Sequence, residues 1–189
     1  MSTFSPKPKT IGAILAGGRS RRMGQDKALL QVGSGTLLDH MNNKLKALPI
    51  LADVLICRNQ QGYLNDIKPD LGPLGALYTL SQNYPDYRAL IVPVDMPLLS
   101  TELLAKLCEK SAGTSAIHFE DYVFPLVIHM GKELNQELEK RIKNSDSDLS
   151  VAKLLRDIKT ETTPKPVDMA QLSNINTLDE WEALQQKLR

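Results

Sequence analysis

An apolar segment that runs into a basic, glycine-containing loop is the feature that most restricts what this chain can fold into. The segment extends from Ile11 to Ala16 and stops at two adjacent glycines, Gly17 and Gly18. Before Ala28 there follow four cations and one anion: Arg19, Arg21, Arg22, Lys27 and Asp26. A buried strand that opens into such a loop is suited to bind a polyphosphate. Glycine lets backbone N–H groups face anionic oxygens, and the cations offset their charge.

This loop differs from the two most frequent phosphate-binding motifs. A P-loop ends in Gly-Lys-Ser/Thr, whereas Gly24 is followed by Gln25, and two adjacent glycines do not match Gly-x-Gly-x-x-Gly. The alternative is an ordinary strand-to-loop turn with a solvated basic face. The coincidence of paired glycines, clustered arginines and a lysine within so few residues favours the phosphate-binding interpretation.

Apolar runs and amphipathic segments alternate along the rest of the chain. Strands are predicted at 11–15, 54–57 and 89–94, and a hairpin is predicted at 115–117 and 122–129. Pro125 inside the hairpin indicates an edge or a bulge. Helices are predicted at 36–48, 74–82, between Ser100 and Gly113, at 132–143, at 149–158 and after a capping box of Thr177 and Glu180. This alternation predicts an α/β fold: a three-layer αβα, Rossmann-like domain with a mostly parallel sheet.

Asp95 follows the third predicted strand, at the sheet edge where the basic loop also lies. Ligands of open α/β sheets bind outside the carboxyl ends of the strands. A carboxylate there can hold Mg²⁺, which takes one or two carboxylates and completes its shell with phosphate oxygens and water. The alternative is an aspartate that caps the region around Ser100 or starts a turn at Met96. The phosphate-binding loop on the same edge favours the magnesium site.

Two cations of the loop are candidates for contact with phosphate groups. Lys27 carries a compact ammonium suited to an α- or β-phosphate, and a solvated lysine paired with Asp26 is the alternative. Arg22 can hold a departing pyrophosphate through two parallel hydrogen bonds. The predicted catalytic residues are therefore Lys27, Arg22 and Asp95.

Length, charge and cysteine content limit the class of protein. The 189 residues fit one domain, predicted at 11–189 after a disordered tail at 1–10. The net charge of +1 argues against a general nucleic-acid binder. Neither a signal peptide nor a membrane span is predicted, because no apolar run is long enough. Cys57 and Cys108 are predicted to be buried thiols in a reducing, cytoplasmic compartment.

The loop sequence Gly17-Gly-Arg-Ser-Arg-Arg-Met-Gly-Gln-Asp-Lys27 resembles the signature of nucleotidyltransferases that join an NTP to a phosphorylated acceptor. It is most similar to the molybdenum cofactor guanylyltransferases (molybdopterin-guanine dinucleotide biosynthesis protein A). Three further segments match this family in order: Gly72-Pro-Leu-Gly-Ala-Leu77, Val92-Pro-Val-Asp-Met-Pro97 and Asn174-Ile-Asn-Thr177. The resemblance covers nearly the whole chain and implies the fold of the nucleotide-diphospho-sugar transferases.

The resemblance implies that GMP passes from GTP to molybdopterin, or to its molybdenum form, and that pyrophosphate leaves. Asp95 would bind Mg²⁺, and the acceptor's phosphate would attack the α-phosphorus in line. A phosphate monoester is largely ionised at neutral pH and needs little help from a general base. The family resemblance implies no nucleic acid and no membrane, and it allows transient contact with proteins that carry the cofactor.

The resemblance also assigns residues to the nucleotide and the acceptor. Base and ribose lie against backbone: Leu15, Ala16, Gly17 and Gly18. A ribose-side carboxylate is Asp66 or its rival Asp70, and a solvated loop carboxylate is the alternative for each. The amides at Gly72 complete the pocket, unless this glycine only starts a helix. Asn174 and Asn176 contact the acceptor's phosphate or the metal region, and turn chemistry before Thr177 is the alternative.

Two positions depart from the family pattern. Cys57 stands where an asparagine is expected at the end of the second strand, and Asn59 either replaces it or is unrelated. Phe124 precedes Pro125 where the family often has histidine. These departures leave open a cytidylyltransferase or another small-acceptor nucleotidyltransferase of the same fold. A nucleotide-binding protein without catalytic activity is a second alternative.

Overall fold

The computed structural model describes residues 8–17, 26–144, 147–158 and 160–185. The predicted site residues Gly18 and Arg22 lie outside the described residues, as do positions 1–7 of the predicted tail. Because parts of the range 11–189 are likewise not described, the single domain at 11–189 stays a prediction.

Strands and helices alternate along the described chain. The strands are β1 (Thr10–Leu15), β2 (Gln31–Val32), β3 (Gly35–Thr36), β4 (Leu51–Cys57), β5 (Arg88–Pro93), β6 (Ala116–Phe119), β7 (Leu126–His129) and β8 (Thr160–Thr163). The α-helices are α1 (Leu37–Lys46), α2 (Pro73–Asn83), α3 (Thr101–Lys110), α4 (Lys132–Lys143), α5 (Val151–Asp157) and α6 (Leu178–Gln185). Short 3₁₀ turns occupy Lys27–Leu29 and Met169–Leu172.

Six of these strands form one sheet, in the order β4-β1-β5-β7-β6-β8. Strand β7 runs antiparallel to both its neighbours, and the other pairings in the sheet are parallel. From β1 the chain passes through α1 to β4 on one side, and α2 then carries it across to β5 on the other. Such a change of direction opens a cleft at the carboxyl ends of the strands. The predicted mostly parallel sheet is confirmed.

The sheet has an apolar core on each face. Helices α1, α3 and α6 contribute to one core and helices α2, α4 and α5 to the other. Side chains alternate between these cores along the central strands: Ile14 and Leu90 face the first, and Ile11 and Ile91 face the second. The three-layer αβα architecture follows from strands that are apolar on both faces.

Polar side chains fix the starts of several helices. The hydroxyl of Ser100 accepts a hydrogen bond from the amide of Leu103 at 3.1 Å. The predicted capping box before α6 is confirmed: Glu180 donates its amide to the Thr177 hydroxyl at 3.2 Å, and its carboxylate accepts from the Thr177 amide at 3.1 Å.

Three local features differ from the sequence-based expectation. Strand β7 begins after the cis bond between Phe124 and Pro125, and it lies inside the sheet. The prediction of an edge or a bulge at Pro125 is therefore wrong; proline lacks an N–H and stands just before the ladder. Strand β8 and the small β2–β3 hairpin have weak apolar patterns and were not predicted.

The predicted burial of both cysteine thiols is confirmed. Cys57 and Cys108 are free and buried, and burial raises the pKa of each thiol to about 12. Within the described ranges, the structure has no helix with the length and apolar character needed to cross a membrane.

Candidate active site

Three polar side chains from distant parts of the sequence meet at the carboxyl edge of the sheet. The Lys27 ammonium donates to Asp95 Oδ2 at 2.9 Å and to Asn176 Oδ1 at 3.1 Å. Lys27 lies in the 3₁₀ turn that begins after Asp26, Asp95 lies two residues beyond β5, and Asn176 lies just before α6. The Lys27 and Asp95 side chains are 17% and 19% exposed. The structure thus brings together three of the predicted site residues.

Neighbouring segments hold the loop that carries Asp95. The carbonyl of Asp95 accepts from the amide of Ile175 at 2.8 Å. Two residues further on, the carbonyl of Pro97 accepts from Lys44 Nζ at 2.6 Å and lies 3.3 Å from His40 Nε2. Burial lowers the pKa of Lys44 to about 8, and burial, assisted by Lys44, lowers the pKa of His40. The loop is therefore fixed by α1 and by the segment before α6.

The oxygen atoms around the Lys27 ammonium are suited to a divalent cation. A carboxylate oxygen of Asp95 and the amide oxygen of Asn176 converge on the one ammonium group. Such hard oxygen donors are the ligands that Mg²⁺ prefers. Among the described residues, no group of three or more His, Cys, Asp and Glu side chains could enclose an ion. These donors fit an ion that takes most of its shell from phosphate oxygens and water.

Asp26, the alternative partner considered for Lys27, is bound by another cation. Its carboxylate forms an ion pair with Arg58, which follows β4, and it also accepts from the amide of Ala28 at 3.0 Å. Asp26 thereby caps the 3₁₀ turn that contains Lys27. Arg58 was not among the predicted site residues, because nothing in the local sequence pattern connects it with a residue 32 positions earlier.

Two cavities that share part of their walls lie beside these residues. The smaller, of about 280 Å³, is lined by Lys27, Asp95 and Phe124 among others. The larger, of about 760 Å³, is lined by Cys57, Asn59 and other residues of the loop after β4. Both cavities share five lining residues: Leu15, Ala16, Gly17, Asp26 and Pro73. The predicted nucleotide-binding backbone thus lies between a space near the charged groups and a wider space beyond β4.

The larger cavity is lined by both candidate ribose-side carboxylates, which differ in burial and in backbone conformation. Asn59 Nδ2 donates to Asp66 Oδ2 at 2.8 Å, and the Asp66 amide donates to Asn59 Oδ1 at 2.7 Å. Asp66 is half-buried, whereas Asp70 is exposed and has a φ of 64°. Asn59 thus orients the Asp66 carboxylate, and the assignment of the ribose contact stays a prediction.

Glycines allow the Asp66 loop to approach the start of α2. A Cβ on Gly75 would lie 2.9 Å from the carbonyl oxygen of Lys68 and 3.3 Å from Asp66 Oδ2, so a side chain there would displace the loop. Gly72 has a φ of 57°, a value that favours glycine, and it lines the larger cavity directly before Pro73 starts α2. Close packing of this loop on α2 forms one wall of the cleft.

The remaining predicted site residues are less well placed or not described. Asn174 is exposed on the same segment as Asn176, with the buried Ile175 between them. Asn176 donates its amide to the Glu180 carboxylate at 2.6 Å, so the turn and cap chemistry considered for this segment coexists with its side-chain contact to Lys27. Gly18 and Arg22 lie outside the described residues.

Comparison with known proteins identifies the family of this chain. Residues 12–161 match the family model described as the MobA-like NTP transferase domain. The molybdenum cofactor guanylyltransferase of Xanthomonas euvesicatoria pv. vesicatoria is 36% identical over 177 residues, which is 92% of this chain and 93% of the relative. The probable molybdenum cofactor guanylyltransferase of Carboxydothermus hydrogenoformans is 30% identical over 185 residues, 91% of this chain and 93% of the relative.

A solved structure shares the fold. Molybdopterin-guanine dinucleotide biosynthesis protein A from Archaeoglobus fulgidus superposes with a TM-score of 0.76 at 18% identity, covering 93% of this chain and 97% of its own. At this identity the likeness supports the fold, and the sequence relatives carry the family assignment. The family model matches residues 12–161, and the two sequence relatives align with about nine-tenths of the chain. The chain therefore belongs to the MobA-like NTP transferase family of nucleotidyltransferases.

Proposed function

We propose that this protein transfers GMP from GTP to molybdopterin or its molybdenum form, releases pyrophosphate and forms the guanine dinucleotide cofactor. The observation that carries the proposal is the meeting of Lys27, Asp95 and Asn176 at the cleft. The two relatives reported above carry the name of this activity over nearly their whole length.

The cleft residues supply charge and position for the reaction. Lys27 places its ammonium against the α- or β-phosphate, where negative charge grows as the bond to pyrophosphate breaks. The backbone at Leu15, Ala16 and Gly17 lies against the nucleoside. Asp95, assisted by the phosphates, would hold Mg²⁺, which neutralises phosphate charge when bound. Arg22 is proposed to hold the leaving pyrophosphate.

The acceptor supplies its own nucleophile. An oxygen of its terminal phosphate forms a bond to the α-phosphorus, and the bond between that phosphorus and the pyrophosphate oxygen breaks. Because the attacking phosphate is already ionised, no protein base is required, and the protein contributes alignment of the two reacting groups. Asn176, with Asn174 on the same segment, is proposed to contact the acceptor's phosphate.

The larger cavity is proposed to hold the nucleoside. Asp66 is oriented by Asn59 and is proposed to accept hydrogen bonds from the ribose, while the amides after Gly72 close the other side. Guanine presents N1–H and N2–H₂ donors and an O6 acceptor, and cytosine presents a smaller pattern. Cys57, which stands where the family pattern has asparagine, lines this cavity.

Residues 11–189 are proposed to form one catalytic domain that acts in the cytoplasm and passes its product on by transient protein contacts. Trp181 and Leu184 of α6 pack in the same core as Ile14 of β1, which supports one folding unit.

Pyrophosphate release by the purified protein tests the proposal. With molybdopterin and Mg²⁺ present, GTP should support turnover faster than CTP, and omission of molybdopterin should abolish it. Faster turnover with CTP would show that the protein transfers a cytidylyl group and not a guanylyl group. Absence of turnover with every NTP would instead indicate a nucleotide-binding protein without catalysis.

A further inference from the structure

Arg58 is a buried cation at the edge of the nucleotide cleft. It follows the last residue of β4, lines the larger cavity, and its side chain is only 4% exposed. Nε donates to Gln60 Oε1 at 2.8 Å, and the guanidinium carbon lies 5.8 Å from the centre of the Tyr63 ring. Its remaining nitrogens face Asp26. These contacts fix the orientation of the Arg58 guanidinium toward Asp26.

Both carboxylate oxygens of Asp26 are engaged by groups other than its neighbour Lys27. Oδ1 accepts from the Ala28 amide at 3.0 Å and from Arg58 Nη1 at 3.5 Å, and Oδ2 accepts from Arg58 Nη2. Arg58 therefore neutralises a carboxylate that borders the smaller, charged cavity. That carboxylate would otherwise attract the Lys27 ammonium and repel a polyphosphate.

We infer that Arg58 is a positioning residue that keeps Asp26 away from Lys27. The ion pair leaves the Lys27 ammonium directed toward Asp95, Asn176 and the incoming phosphates. Through Asp26, which caps the turn containing Lys27, the loop after β4 is also joined to the phosphate side of the cleft. This inference rests on the proposed function only in taking the ligand to be a polyphosphate.

The size of the effect follows from simple electrostatics. Like charges that lie close together at a protein surface repel each other appreciably. A modest repulsion of this kind changes an affinity by about tenfold. An uncompensated Asp26 should therefore weaken polyphosphate binding by about tenfold or more.

A calorimetric titration with inorganic tripolyphosphate and Mg²⁺ tests this role without depending on the base or the acceptor. Arg58→Met should bind tripolyphosphate about tenfold more weakly than the unmodified protein. Arg58→Met with Asp26→Asn should recover to within about threefold, because the unpaired carboxylate is gone while asparagine still caps the turn.

Arg141 provides the matched control. It is also buried and bound to carboxylates, but it lies on α4, away from the cleft. Folded Arg141→Met should bind tripolyphosphate as the unmodified protein does, because a structural arginine affects stability and not the charge near Lys27. Circular dichroism before each titration gives the folded fraction.

The possible results separate the inference from the proposed function. Equal affinities of Arg58→Met and Arg141→Met, or no tripolyphosphate binding by the unmodified protein, would overturn the inference. Where Arg58→Met does not fold, the double variant decides: affinity within about threefold supports positioning, and a tenfold loss shows that Arg58 contacts the phosphates itself. Normal tripolyphosphate results without any guanylyl transfer would remove the proposed function and leave the role of Arg58 standing.

Discussion

Two clusters of ionic side chains in this protein use the same chemistry for different ends. The cleft cluster consists of Asp26, Lys27, Arg58 and Asp95, and the helix cluster consists of Glu137, Arg141, Lys153 and Asp157. Ion pairs of the cleft cluster join residues 32 and 68 positions apart. Those of the helix cluster join residues 4 and 16 positions apart.

We infer a different purpose for each cluster from this difference. Arg141 binds Glu137, Asp157 and the carbonyl of Asp148, so it ties α4 to α5 and to the segment between them. The cleft cluster instead places charges around two cavities, and these charges come from the 3₁₀ turn at Lys27 and from the segments after β4 and β5. Pairs that are local in sequence consolidate structure here, and pairs that are distant converge where a ligand can reach them.

The largest effect is expected for Asp95→Asn in the cleft cluster. It should lower kcat by about 100- to 1,000-fold and increase the Mg²⁺ concentration needed for half-maximal rate, because one ionised ligand is lost. Stability should change by about 1 kcal/mol or less, since the pair with Lys27 is partly solvated and asparagine keeps the shape. Pyrophosphate release over a Mg²⁺ series, with urea unfolding as control, measures both. Unchanged kcat and Mg²⁺ dependence would show that the ion is bound elsewhere.

The helix cluster should show the opposite response. Arg141→Met should lower the free energy of unfolding by roughly 3 kcal/mol, because it removes the charged hydrogen bonds that the buried guanidinium donates to Glu137, Asp157 and the Asp148 carbonyl. Turnover per folded molecule should stay the same. Urea unfolding and pyrophosphate release at 25 °C give the two values. A loss of turnover without loss of stability would mean that the two clusters do not differ in purpose.

A smaller effect should separate the two candidate carboxylates of the larger cavity. Asp66→Asn should weaken GTP binding by about tenfold, because it removes an oriented acceptor and disturbs the Asn59 pair. The matched variant Asp70→Asn, in which asparagine tolerates the positive φ, should change binding by about twofold at most. Calorimetry with GTP measures both variants. The reverse ranking would assign the contact to Asp70.

The smallest effect is a pH dependence of stability that arises from Lys44, which donates to the Pro97 carbonyl in the Asp95 loop. The pKa of Lys44 is about 8 in the folded protein and 10.5 ordinarily, so between these values the unfolded state binds more protons. Stability should therefore rise with pH in that window, whereas below pH 8 the cost of the buried charge is fully present. Lys44→Met lacks this gain. Urea unfolding at pH 7.5 and pH 10 should show that the free energy of unfolding rises more for the unmodified protein than for the variant.

An exposed lysine gives the control for this last comparison. Lys140 is 77% exposed, and Lys140→Met should track the unmodified protein at both pH values. A constant stability difference between Lys44→Met and the unmodified protein would contradict the burial of that charge.

The sequence predicts the parallel half of the sheet well, for a physical reason. Strands β1 and β5 are buried on both faces, so they stand out as apolar runs ended by glycine or by proline and aspartate. Their carboxyl ends must lie on the same edge, which is why Lys27 and Asp95 could be expected to meet. Strand β8, with the sequence Thr-Glu-Thr-Thr, lies at the sheet edge and has no such run.

What the sequence does not predict is which side chains hold the site residues in place. Arg58, His40 and Lys44 act on residues 32 to 57 positions away, and local periodicity contains no information about those partners. The pair between Asn59 and Asp66, on which the proposed ribose contact rests, is likewise visible only in the folded chain. Positions of catalytic groups follow from strand order, but their support follows from packing that only the folded chain displays.

The most direct test of the cleft as a triphosphate site is a crystal structure with a non-hydrolysable GTP analogue and Mg²⁺. The expected result has the ion bound to Asp95, the Lys27 ammonium on the α- or β-phosphate and the nucleoside in the cavity beside Asp66. A triphosphate seated elsewhere, for example in the groove of about 490 Å³ lined by Lys106 and Lys110, would contradict the account.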